Sequence, residues 1–158
     1  MKTGIIIIFH NYEEEIDMNF FSDYINKAKN IEMCLVNNCS KDNTYEVLKE
    51  ISEYCNNVSV LNINKFKTDD SAVRAGARYL VNQFNLKEIG FINTNILKSN
   101  QKELIKVLRA IIDNRDEIFK HKNQVNQQKK IKQSMPQNVF SILECMKIFK
   151  EEIKVLNL

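Results

Sequence analysis

Residues 4–12 read Gly-Ile-Ile-Ile-Ile-Phe-His-Asn-Tyr, and this stretch decides the fold. Ile5 to Phe9 is an unbroken apolar run, four of its five residues β-branched. Such a run fits a strand buried on both faces, since a half-solvated strand would alternate with polar residues. A strand of that kind needs helices over both faces of its sheet. His10-Asn11-Tyr12 ends the run. Ile16, Phe20, Tyr24 and Ala28 then recur every four residues, with Phe21 and Ile25 beside them. That stripe predicts one helix. Asn11 is placed to cap it, and Glu13, Glu14 and Glu15 fill a first turn where the helix dipole favours anions.

The alternation repeats downstream. Met33-Cys34-Leu35-Val36 is a second strand, followed by the polar loop 37–44 and a helix carrying Val47, Leu48, Ile51 and Tyr54. Asp42 or Thr44 can cap that helix. Val58 to Ile63 is a third strand, and the next helix carries Ala72, Val73, Gly76, Ala77, Leu80 and Val81. Ile89-Gly90-Phe91-Ile92 is a fourth strand. A long helix follows, capped by Ser99 or Asn100 and carrying Leu104, Leu108, Ile111 and Ile112. The order βαβαβαβα predicts a single α/β domain, a mostly parallel sheet flanked by helices. Ligands bind such sheets at the carboxyl ends of the strands, so loops 9–13, 37–44, 64–70 and 93–98 are where a site is expected.

Composition narrows the function classes. The chain has 158 residues and a net charge of +3, from 23 basic and 20 acidic residues. That charge is too mild to imply nucleic acid as a partner. Three glycines, one proline and 21 asparagines give poor punctuation for an all-β protein, and 19 lysines against 4 arginines fit an AT-rich coding bias. Cys34, Cys39, Cys55 and Cys145 form no Cys-x-x-Cys pair, and two histidines do not make a zinc site. No segment approaches the ~20 apolar residues of a membrane span, and residues 5–9 are too short for a signal peptide. The expectation is a cytoplasmic protein with free thiols, no transmembrane segment and an oligomeric state the sequence leaves open.

The pattern weakens after Asn114. From Ile118 to Leu143 there are five lysines, Lys120, Lys122, Lys129, Lys130 and Lys132, and no acid. Residues 1–113 therefore read as a βα core, 114–137 as a basic flexible loop, and 138–158 as a C-terminal strand and helix docking back on the sheet. No Gly-x-Gly-x-x-Gly follows the first strand, no Walker A lysine loop is present, and no Gly-x-Ser-x-Gly elbow appears.

A constellation does appear at the strand ends. The first strand runs into Phe9-His10-Asn11-Tyr12-Glu13-Glu14. The second runs into Asn37-Asn38-Cys39-Ser40-Lys41-Asp42-Asn43-Thr44. A helix begins Ala72-Val73-Arg74-Ala75-Gly76, and the fourth strand ends Asn93-Thr94-Asn95. In order and spacing, residues 4–112 resemble the nucleotide-binding half of family 2 glycosyltransferases, which have the GT-A (Rossmann-like) fold. That family's pattern is a strand ending in Pro-x-Tyr-Asn-Glu, a strand ending in Val-Asp-Asp-Gly-Ser-x-Asp-x-Thr, an Ala-x-Arg-x-Gly helix, and a strand ending in Asp-x-Asp. Glu144-Cys145-Met146-Lys147-Ile148-Phe149-Lys150 resembles the Cys-Gly-Phe-Lys-x-Phe segment of the polyprenyl-phosphate sugar transferase branch, one residue short.

The resemblance implies a nucleotide-sugar donor, transfer of its sugar to an unidentified hydroxyl acceptor, and a divalent cation, manganese or magnesium, on the diphosphate. It implies donor contacts at His10, Asn11, Asn37, Asn38, Asp69, Asp70 and Arg74, metal ligands at Asn93 and Asn95, and a general base at Glu144. The departures are specific. Asn37 and Asn38 replace two aspartates, and Asn93 and Asn95 replace the Asp-x-Asp pair. Amide oxygens offset none of a cation's charge, so metal affinity is expected to fall sharply. Cys39, Phe66 and Met146 stand about where the family places glycine beside ligand.

Each residue also has a plainer reading. Asn93 and Asn95 cap a turn, His10 is a satisfied strand-end histidine, Asp69 and Asp70 cap the third helix, and Arg74 lies on a solvated helix face. The lysines of 120–132 either sit in solvent or close over the donor in place of a metal's charge. Two functions follow: a glycosyltransferase with an altered Asp-x-Asp, or an inactive protein of the same fold serving as a binding module.

Overall fold

The computed structural model describes residues 1–97, 101–128 and 139–156. Among these residues five strands, β1 (Lys2–Phe9), β2 (Ile31–Asn38), β3 (Val58–Ile63), β4 (Leu86–Asn93) and β5 (Val139–Ser141), form one sheet in the order β3-β2-β1-β4-β5. Every pairing is parallel. The helices are α1 (Met18–Asp23), α2 (Thr44–Tyr54), α3 (Asp69–Gln83), α4 (Gln101–Phe119), α5 (Lys122–Gln128) and α6 (Ile142–Leu156). The predicted α/β domain with a parallel, helix-flanked sheet is borne out. Among the described residues no helix is long and apolar enough to cross a membrane.

Ile5 to Phe9 is completely buried, as the unbroken apolar run requires. Ile5, Ile7 and Phe9 face one layer with Phe21, Leu48, Leu108, Phe140 and Ile142, drawn from α1, α2, α4, β5 and α6. Ile6 and Ile8 face the other layer with Val36 and the α3 residues Ala72, Val73, Ala77 and Leu80. Gly76 lets α3 approach the sheet closely: a Cβ there would lie 2.8 Å from Ile6 Cγ2. At Gly90 a Cβ would lie 2.6 Å from Ile142 Cγ1, so α6 settles on β4 where the side chain is missing.

Two expectations are corrected. The single helix expected from Ile16 to Ala28 is three short pieces: a 3-10 turn at Glu13–Glu15, α1, and a 3-10 turn at Ile25–Lys27. The side chain of Asp17 accepts from Phe20 N (3.1 Å) and starts α1 afresh. Asn11 has φ 50°, left-handed backbone, and caps nothing. The stripe still points inward, since Phe20, Phe21 and Ile25 are buried; burial follows the pattern although the backbone between them is not one continuous helix.

The second concerns 114–137, expected as a flexible basic loop. Within it α4 runs on to Phe119 and α5 occupies Lys122–Gln128 instead. Asn114 (φ −134°, ψ 30°) kinks α4 without ending it, and α5 follows. Ile118, Phe119 and Val125 are buried on this segment, which is the apolar content a loop would not hold. Lys122 Nζ pairs with Glu88 Oε2 at 2.7 Å, and Lys120 Nζ reaches Glu117 and Glu152 at 3.1 and 3.7 Å. Glu88 stands at the amino end of β4, roughly 17 Å below Asn93 at ~3.3 Å per residue. Lys122 is therefore bound at the far end of the sheet from the strand ends where a donor would sit. Lys129, Lys130 and Lys132 lie outside the described residues, as do Ser99 and Asn100.

Candidate functional site

β1, β2 and β3 are linked in one direction across the sheet, and β4 and β5 continue in the other. The order reverses between β1 and β4, the switch point at which sheets of this kind form a ligand crevice above the carboxyl ends of the strands. His10 follows β1 on one side of that point, and on the other β4 ends in Asn93, with Thr94 and Asn95 after it.

Strand register sorts the two asparagines that end β2. Ile8 pairs with Val36 and with Asn93, and Phe9 pairs with Asn37. Side chains alternate along a strand, so Asn38 falls on the α3 side with Val36, and Asn37 on the α2 side with Leu35. The hydrogen bonds agree. Asn37 Nδ2 donates to Asn62 Oδ1 (2.8 Å), its Oδ1 accepts from Ser40 Oγ, and Asn62 Nδ2 donates to Asn64 Oδ1 (3.0 Å). These amides line a pocket of about 190 Å³ together with Tyr45 and Glu46. Asn38 is fully buried, and both ends of its amide are spent on one residue: Nδ2 donates to Lys67 O (2.9 Å) and Oδ1 accepts from Lys67 N (3.0 Å). It clamps the loop between β3 and α3.

His10 is held at both ring nitrogens. Nδ1 lies 2.7 Å from Asn38 O, a group that only accepts, so Nδ1 carries the proton. Nε2 then accepts from Asn11 Nδ2 at 3.2 Å. Asn11 also accepts from Lys41 N at 2.7 Å through Oδ1, and its own N–H donates to Ser40 Oγ at 3.0 Å. Asn11 is thus a bracket between the loops after β1 and β2, and its left-handed backbone is one asparagine tolerates. Asp42 completes the bracket, accepting from Glu13 N (3.2 Å), Thr44 N (3.0 Å) and Thr44 Oγ1. Burial pushes its carboxyl up, but the bonds from Thr44 and Glu13 outweigh that and hold it below the ordinary value.

The remaining expected residues separate. Asp69 and Asp70 are exposed in the first turn of α3, and neither caps it: Thr68 does, its side chain accepting from Ser71 N. Arg74 lies one turn on and is half-buried. Glu144 opens α6 beyond β5, two strands from β1, with Lys147 Nζ 3.5 Å from its Oε1. Asn93 caps a 3-10 turn (Thr94–Ile96), its side chain accepting from Asn95 N at 3.0 Å, while Thr94 Oγ1 donates to Ile8 O at 2.7 Å. The capping reading of Asn93 describes its geometry. Ser40, Asn62, Asn64 and the backbone of Lys67 were not singled out by sequence. The bonds of Ser40 to Asn11, Asn62 to Asn37 and Lys67 to Asn38 span 29, 25 and 29 positions, which only strand register brings together.

The donors at the Asp-x-Asp position do not suit a divalent cation. The Asn93 amide oxygen is engaged by a backbone N–H and the Thr94 hydroxyl by a backbone carbonyl, and neither these nor the exposed amide of Asn95 offers a cation any charge. Among the described residues, no group of three or more His, Cys, Asp or Glu side chains is placed to hold a metal.

The thiols divide by burial. Burial pushes Cys34 up to about 12, and burial with the Glu144 and Glu88 carboxylates pushes Cys145 up to about 11. Cys39 is half-buried at φ 53°, with its Sγ 3.2 Å from Asn64 O. A side chain in left-handed backbone costs about 1–2 kcal/mol, partly regained here by the thiol contact. Cys39→Gly is expected to stabilise the protein by about 0.5–1 kcal/mol, read as a higher urea midpoint. A lower midpoint would mean that the Asn64 contact outweighs the backbone strain.

Residues 4–86 match the family model described as Glycosyl transferase family 2. No curated protein matches the chain. Among solved structures, S. aureus TarS 1-349 in complex with UDP-GlcNAc is similar at TM-score 0.46 and 15% identity, covering 73% of this chain and 32% of that one. The mannosyltransferase PcManGT from Pyrobaculum calidifontis, in complex with GDP-Man and Mn2+, is similar at TM-score 0.45 and 14% identity, covering 70% and 32%. The chain spans about a third of the length of these structures.

Proposed function

The chain belongs to glycosyl transferase family 2, and on that premise we propose that it binds a nucleotide-diphospho-sugar in the crevice between β1 and β4 and transfers the sugar to a hydroxyl acceptor. The observation that carries this reading is the family match over the segment that builds β1, β2, β3 and α3, whose strand-end loops are tied together by His10, Asn11, Asn38 and Asp42.

In this reading the asparagines after β1 and β2 act on the donor by shape. Their amides are committed to β3 and to neighbouring loops, so they fix the walls of the crevice rather than reach the ligand. Arg74, Lys65 and Lys67 are the cations we assign to the diphosphate, since ammonium and guanidinium groups can offset phosphate charge where no carboxylate holds a metal. Asp69 and Asp70 order water around that charge at the start of α3. Glu144 is the acid we assign to the acceptor: it takes the hydroxyl proton as the oxygen bonds to the sugar's anomeric carbon and the bond to the diphosphate breaks. The metal is not part of this route.

Titration calorimetry with a panel of UDP- and GDP-sugars, with and without manganese, tests the proposal. We expect heat with at least one donor, unchanged by manganese. No heat with any nucleotide would overturn donor binding. A signal that requires manganese would overturn the metal-independent form. Binding without transfer to any hydroxyl acceptor would leave the chain a binding module of this fold.

A further inference from the structure

We propose that Phe66 is the stacking platform for the donor's nucleobase. The inference rests on the donor-binding reading above and names the residue that selects a planar ring. Phe66 is 56% exposed, on the loop between β3 and α3. A single exposed phenylalanine is ordinary; one that is held in place is not. Its ring packs edge-on against His10, centroids 5.0 Å apart at 70°. His10 is itself fixed through both nitrogens, by Asn38 O and Asn11 Nδ2. The loop is pinned next to Phe66 by the two amide bonds from Asn38 to Lys67. One buried asparagine thus holds the histidine that packs on Phe66, through its backbone carbonyl, and the loop that carries Phe66, through its side chain.

The position suits the base rather than the phosphates. The ring has no hydrogen-bond donor for an anion, whereas the exposed Lys65 and Lys67 on either side do. Every nucleobase has a π-face, and an aromatic face that is already oriented gives up little conformational entropy on stacking. His10 lies at the end of β1, so Phe66 borders the crevice that the sheet order opens between β1 and β4. A ligand carrying both a planar ring and phosphate meets its two chemistries within three consecutive residues.

The chain has no tryptophan, so Phe66→Trp introduces one indole at the platform. We expect its fluorescence to be quenched by UMP, UDP or GDP and unaffected by pyrophosphate, ribose 5-phosphate or free monosaccharides. Phe66→Leu keeps an apolar side chain without a π-face. We expect it to weaken nucleotide binding by about tenfold in calorimetry, with an unchanged melting temperature and unchanged pyrophosphate binding. If the wild-type protein binds a nucleotide and Phe66→Leu binds it equally well, the platform is wrong while the donor reading stands. If the wild-type protein binds no nucleotide, the donor reading fails and the platform with it. Quenching by monosaccharide alone would assign the ring to the sugar and overturn the base assignment.

Discussion

Asn38→Asp, which restores the family's residue after β2, is expected to destabilise this protein by about 3 kcal/mol at neutral pH and to abolish tight nucleotide binding. The side chain is fully buried and makes two opposite bonds to one residue. An aspartate keeps the acceptor for Lys67 N, but its second oxygen faces Lys67 O, acceptor against acceptor. A buried carboxylate in that position favours its neutral form, so its folded pKa is raised above the ordinary ~3.9. The sign follows. The penalty is fully present well above the folded pKa and shrinks as pH falls through it. It is gone below the unfolded value, where both states carry the proton and a carboxylic O–H can donate to Lys67 O. Urea unfolding of wild type and variant at pH 7 and near pH 4 measures this directly. A deficit independent of pH would mean that the cost is packing and not charge. A variant as stable as wild type at pH 7 would show that the clamp does not hold the loop. The binding loss follows because the released segment carries both Phe66 and the lysines assigned to the diphosphate.

That variant also marks how much of the site the sequence could disclose. The parallel sheet was legible because Ile5 to Phe9 has no polar interruption, and helices carry their own 3.6-residue period. The positions of His10, Asn38 and Asn93 at strand ends were legible for the same reason. The use made of them was not. A strand-end asparagine reads equally well as ligand contact, metal ligand or cap, and the choice depends on who stands opposite. For Asn38 the partner is Lys67, for the Asn37 amide nitrogen it is Asn62, and for Asn93 it is the backbone two residues on. Only the last is local, and the capping reading, derived from turn chemistry, described it. The low glycine count carries a related lesson. Gly76 and Gly90 persist where a Cβ would strike Ile6 or Ile142, whereas Cys39 sits in left-handed backbone that glycine would adopt without strain. Packing at the sheet is intolerant of an added carbon, while the loop absorbs a cost of about 1 kcal/mol.

Lys122→Met is the second large effect expected, a loss of about 2–3 kcal/mol at neutral pH. Glu88 is buried at the start of β4, its side chain 5% exposed, and its carboxylate meets Lys122 Nζ at 2.7 Å and Thr3 Oγ1 at 3.3 Å. Removing the ammonium leaves a buried anion with one neutral hydroxyl, a case in which the uncompensated charge costs more than the pair contributed. The value is set below the fully buried range because Lys122 keeps 29% of its side chain in solvent. Glu88→Gln in the same chain removes the charge, keeps an acceptor for Thr3, and should restore stability to within about 1 kcal/mol of wild type. The coupling in this double-mutant cycle separates a charge pair from lost packing of the lysine stem. If the single variant and the double variant are equally unstable, Lys122 contributes its methylenes only. This pair is also why 114–128 misled as sequence. From Ile118 to Leu143 the chain has five lysines and no acid, so the segment has the composition of a solvated loop. The acid that holds it is 34 positions away on β4, and it is the parallel crossover from β4 through α4 and α5 to β5 that brings the two together. The ion pair fastens α5 to the amino end of the sheet, opposite the crevice. On that account Lys122→Met should lower stability without changing the affinity for a nucleotide at the carboxyl end. A matching loss of nucleotide affinity in the folded variant would place α5 in communication with the crevice and contradict this assignment.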